Sequence, residues 1–93
     1  MDHLYKQIVA FQRKCNDYID DHAHNIARSL KQEVQRLEDE AQVRKHPRSL
    51  EDRVKRVIQQ LEHAGEHGVM SHHHVRELVE RGEDFRRELR ALG

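Results

Sequence analysis

The chain has no tryptophan, one proline, one cysteine and four aromatic side chains, Tyr5, Phe11, Tyr18 and Phe85. A lone Cys15 excludes an internal disulfide, in keeping with a reducing compartment. No stretch approaches ~18 consecutive apolar residues, so no transmembrane helix is expected. The opening MDHLYKQIVAFQRK has no apolar signal core, and a cytoplasmic location is expected. Net charge is also lacking: 17 Lys plus Arg offset 17 Asp plus Glu. The balance is local, with eight of each sign in residues 1–46, four in 47–70 and five in 71–93. No segment is a basic tail. Nucleic-acid affinity rests largely on phosphate neutralisation, and anionic bilayers attract polybasic segments. Neither partner is favoured.

What is present is charge and helical periodicity. Charged residues make up 37% of the 93 residues and apolar ones 35%. A core drawn from so few apolar side chains in so short a chain is thin. That profile fits either disorder or exposed helices, and the spacing of the apolar residues decides for helices.

Residues 1–46 contain neither glycine nor proline. There Leu4, Ile8, Cys15, Ile19, Ile26, Leu30, Leu37 and Ala41 recur with a period of eleven, which marks one side of a helix. One helix over about 3–45 is expected, roughly 60 Å long at ~1.5 Å per residue. Pro47 ends it. Ser49 is the expected N-cap of the next helix, with Asp52 in a capping-box position. Leu50, Val54, Val57, Leu61 and Ala64 carry that helix over about 49–64. Gly65 and Gly68 break it, and Ser71 starts a last helix over about 71–92. Its stripe is Val75, Leu78, Gly82, Phe85, Leu89 and Leu92. Gly82 on that stripe is either tolerated or marks the close approach of a neighbouring helix.

The heptad of the second helix continues in phase across the glycine break. The expected fold is therefore all-α: one domain over 1–93, a long helical hairpin with a broken second arm, dimerising into a four-helix bundle with the apolar seams inward. A three-helix bundle is the alternative. Six acid–base pairs at i,i+4 are expected on the solvated faces: Asp2–Lys6, Glu40–Arg44, Glu51–Lys55, Asp52–Arg56, Glu77–Arg81 and Glu83–Arg87.

Nine histidines are the unusual chemical feature, five of them within residues 63–74. His63 and His67 are i,i+4, a workable spacing for two imidazoles on one metal ion. His72, His74 and, across a hairpin, His22 are the candidates to join them, with zinc as the ion. Histidines in the first turn of the last helix also suggest a pH response, because the helix dipole disfavours positive charge there.

Enzyme signals are weak: there is no HExxH, no phosphate-binding glycine loop and no nucleophile elbow. Asp17, Asp20, Asp21 and His24 share a helix face that reads as solvated surface. Cys15 lies on the apolar stripe and reads as a structural thiol. Arg76, Arg86, Arg87 and Arg90 are interleaved with acids, which counts against a nucleic-acid surface. The expected function is a non-enzymatic helical interaction module that self-associates as a homodimer, or binds another protein, as an adaptor, small chaperone or regulator. Its expected interface is the seam of Leu4, Ile8, Phe11, Ile19, Ile26, Leu30, Leu37, Val54, Leu61, Leu78, Phe85 and Leu89. The alternative is a metal- or pH-responsive regulator centred on His63, His67, His72 and His74, with His22.

Overall fold

The computed structural model describes residues 2–19 and 24–92, with side chains over 3–19 and 27–92. Four helices follow one another: α1 (Asp2–Tyr18), α2 (His24–Gln42), α3 (Pro47–Glu66) and α4 (His72–Leu92). Each packs against two neighbours, in the ring α1–α2–α3–α4 closed by α1 against α4. The α3–α4 contact is the most extensive and the α1–α4 contact the sparsest.

The continuous helix expected over 3–45 is two helices. A rod of roughly 60 Å at ~1.5 Å per residue does not fit a molecule measuring 37 × 21 × 18 Å. The physical reason is the stripe itself. On a straight rod, Leu4 to Ile19 and Leu30 to Ala41 would need a second chain to cover them. Folded back, α1 and α2 cover one another. Asn16 and Asp17, residues of low helix propensity, lie in the last turn of α1. At the end of α1 the Ile19 amide donates to the Asn16 carbonyl at 3.3 Å, a tightened last turn. Both expected arrangements, the hairpin with a broken arm and the three-helix bundle, give way to a four-helix bundle closed within one chain.

The second turn is set by Arg44 and Pro47. Arg44 takes a φ of 53°, the left-handed conformation that ends many helices. Ser49 is not the N-cap of α3. The helix starts at Pro47, since proline is tolerated in the first turn, where its missing N–H has no intrahelical acceptor to lose. His46 is the cap, its Nδ1 accepting from the Arg48 amide at 3.2 Å. At the third turn Gly68 has a φ of 71°, a conformation costly for any residue with a Cβ. Ser71 caps α4 as expected, its Oγ accepting from the His74 amide at 3.3 Å.

The core runs the length of the ring. Ile8, Phe11, Cys15, Leu30, Val34, Leu37, Leu50, Val54, Leu61, Leu78 and Leu89 are buried in it. Phe11 meets Phe85 edge to face, with centroids 5.4 Å apart at 84°, a favoured aromatic geometry. Val69 and Met70, in the α3–α4 connection, are buried as well and plug one end.

Candidate functional site

The seam expected to face a second chain lies inside this one. Leu4, Ile8, Phe11, Ile19, Leu30, Leu37, Val54, Leu61, Leu78, Phe85 and Leu89 are all buried. The side chain of Ile26 lies outside the described residues. Leu4, the most exposed of the set, keeps only 9% of its surface. Within the single chain these buried residues form the core between the four helices.

The histidines do not converge. His63 and His67 touch, with ring centroids 4.4 Å apart at 63°. His74 turns away from them and stacks on Tyr18 at 3.8 Å, nearly parallel. His72 is exposed at the start of α4. His22 lies outside the described residues. Among the described residues no three His, Cys, Asp or Glu side chains gather to hold a metal ion. The expected cluster of His63, His67, His72 and His74 is thus an adjacent pair and separate rings. The cause is the break at 67–71, which sends α4 back along α3 instead of continuing its face.

The other chemical candidates are equally dispersed. Asp17 is exposed, while Asp20, Asp21 and the His24 side chain lie outside the described residues. Cys15 is fully buried, and burial pushes its thiol up to about 12. Arg86 pairs with Glu51 and Glu83, Arg90 with Glu51, and Arg87 with Asp84. Three of the four arginines considered for nucleic acid are therefore already engaged by carboxylates.

The ion pairs differ from the expected i,i+4 set. Asp52–Arg56 forms, at 3.5 Å. Glu51 instead reaches from α3 to Arg90 at 2.8 Å and Arg86 at 3.2 Å on α4. Glu77 meets Lys14 of α1 at 2.7 Å rather than pairing with Arg81. Arg53 of α3 spans Glu40 at 2.6 Å and Glu33 at 3.3 Å on α2. Such pairs fix the helix register at α1–α4, α2–α3 and α3–α4. They also set the charge states: Lys14 holds the Glu77 carboxyl below its ordinary value, and Glu77 raises Lys14.

Among the described residues, α1 borders a cleft on each of two sides. One, against α4, is lined by Gln7, Arg81, Asp84, Phe85, Arg87 and Glu88. Its cations and carboxylates balance, and Arg87 is bonded to Asp84. The other is a groove of about 410 Å³ between the first half of α1 and the end of α2. Tyr5, Val9, Ala10 and Ala41 give it an apolar wall, and Lys6, Arg13, Gln42 and Arg44 a polar one. No carboxylate is among these lining residues. Val43, between Gln42 and Arg44, exposes 69% of its surface, the most of any large apolar residue described.

Sequence reasoning did not find this groove. Its residues fall between the stripes: Val9 and Ala10 sit beside Ile8, and Lys6 and Arg13 lie a heptad apart on a face that reads as solvated. Only the folding back of α2 brings Ala41 to Val9. Comparison with known proteins finds no matching family model, curated protein or solved structure.

Proposed function

We propose that this chain is a non-enzymatic helical interaction module, an adaptor, small chaperone or regulator, that receives another protein at the α1–α2 groove. The observation that carries the reading is the groove itself: an apolar wall of Tyr5, Val9, Ala10 and Ala41, with Val43, the most exposed large apolar side chain among the described residues, close in sequence to Ala41. Exposed apolar surface rimmed by polar residues marks association sites on folded proteins. Burial of Cys15, with its thiol pushed up to about 12, supports a structural rather than a nucleophilic role for the one cysteine. Because the seam residues are buried in the chain's own core, they supply no reason for a second copy; the partner is a different chain.

A photocrosslinking residue placed at exposed Ala10, on the groove wall, tests this, with the same residue at exposed Arg56 on α3 as the control. Discrete protein adducts from position 10 and not from 56 are expected in the native cell extract. Adducts from 56 alone, or from neither position, would overturn the reading.

A further inference from the structure

We infer that the α1–α2 groove seats an acidic amphipathic helix, whose apolar side chain enters beside Tyr5, Val9 and Ala41 while carboxylates one heptad apart meet Lys6 and Arg13. The inference rests on the interaction-module reading and specifies its partner. Charge carries it. Lys6 and Arg13 make no ion pair with another described residue. At the contacts between helices, cations sit against acids: Lys14 on Glu77, Arg53 on Glu33 and Glu40, Arg86 and Arg90 on Glu51. The α1–α4 cleft, by contrast, brings its own Asp84 and Glu88. The lining of the α1–α2 groove supplies positive charge and no negative charge.

Spacing selects a helix as the occupant. Lys6 and Arg13 are seven residues apart on α1, about 10 Å along its axis and on the same face. A helix lying along α1 repeats its own face at the same interval, so carboxylates at i and i+7 meet both cations. A residue at i+3 or i+4 then points between them, toward the apolar wall. This is helix-in-groove recognition with electrostatic complementarity fixing register. Tyr5, an aromatic ring with a polar tip, suits the wall of such a site.

The test uses the full chain, isotope-labelled, titrated with two synthetic helical peptides. One carries glutamates a heptad apart around a Leu–Phe pair; the other has lysine at every glutamate. Amide shifts should saturate at Tyr5, Lys6, Val9, Arg13 and Ala41 with the acidic peptide, and its Kd should be at least ten-fold lower than that of the basic one. Lys6→Glu with Arg13→Glu should invert that preference, and Lys6→Gln with Arg13→Gln should abolish it, both with unchanged melting. Equal binding of the two peptides, no saturable shift at the groove, or shifts there on protein concentration alone would overturn the inference. So would tighter binding to phosphatidylglycerol vesicles than to the acidic peptide. If Ala10 crosslinks a partner while the acidic peptide fails, this inference falls and the interaction reading stands. If both fail, both fall.

Discussion

A methyl group built on Gly82 of α4 would lie 2.9 Å from Cγ1 and 3.0 Å from Cδ1 of Ile58 on α3. The two helices approach closely because residue 82 has no side chain. Both distances are below ordinary van der Waals contact, so a Cβ at 82 must displace Ile58.

Gly82→Ala therefore tests the α3–α4 packing. Helix propensity alone would favour alanine by about 1 kcal/mol. Overpacking costs about 1–3 kcal/mol, so a net loss of about 1 kcal/mol is expected in urea unfolding. In an Ile58→Ala background the same substitution should stabilise, because the obstructing atoms are gone. A stabilising Gly82→Ala in the otherwise native chain would contradict the packing.

Arg53 joins α3 to α2 through two acids, Glu40 and Glu33, all three side chains mostly buried. Arg53→Ala leaves both carboxylates without this partner, and a loss of about 1.5–3 kcal/mol is expected for charged hydrogen bonds of this kind. Lysine should recover only part of it, lacking the planar fork that reaches two acceptors. The control is Arg56→Ala, whose exposed pair with Asp52 is worth about 0–1 kcal/mol. Equal losses in the two variants would show that Arg53 does not tie the helices.

These two sites show what was legible in the sequence. The all-helical class, the boundaries near Pro47 and Ser71, and the buried stripe from Leu50 to Leu89 follow from spacing and breakers. Gly82 stood out because glycine on an apolar stripe has few explanations. The turn between α1 and α2 was hidden, since no glycine or proline marks it. Its signal was weaker, a concentration of Asn and Asp at 16–21, and the decisive force was tertiary, the mutual covering of two stripes. The ion pairs were misread for a related reason. Spacing within a helix shows that Glu51 can reach Lys55, but not that Arg86 and Arg90 arrive from α4. The histidine cluster looked convergent along the chain and was dispersed by the turn at 67–71.

Glu51 gives the pH dependence. Burial works against its charge, but the hydrogen bonds from Arg90 and Arg86 outweigh this and hold the carboxyl below its ordinary value of 4.5. A carboxyl depressed in the folded state contributes fully above the ordinary value and loses that contribution as pH falls through the folded one. Stability should decline below about pH 4.5. Glu51→Gln should cost about 1–2 kcal/mol at pH 7 and decline less on acidification, so that the two curves converge. Parallel curves down to pH 3 would refute the assignment.

Cys15 should be inert in the folded chain. With the thiol buried and pushed up to about 12, almost no thiolate is present at pH 8. Reaction with a disulfide reagent should then be on the order of 100-fold or more slower than in concentrated guanidinium, limited by opening of the fold. Comparable rates in the two solvents would place the thiol at the surface.

Gln12 is the buried polar exception, 3% exposed, with its Oε1 lacking a hydrogen-bond partner among the described residues. An unpaired buried acceptor costs about 1–3 kcal/mol. Gln12→Met, similar in length and without that acceptor, should raise stability by about 1 kcal/mol. A destabilised variant would mean that the amide is bonded in solution.

The central claim is that one chain covers its own apolar seam and leaves the α1–α2 groove for a different protein. The most direct measurement is the absolute solution mass by light scattering, at neutral pH with chelator present. A mass of 11.1 kDa, the single chain, is the expected result. A folded species of twice that mass, persisting on dilution, would contradict the claim and return the seam to an interface between two copies.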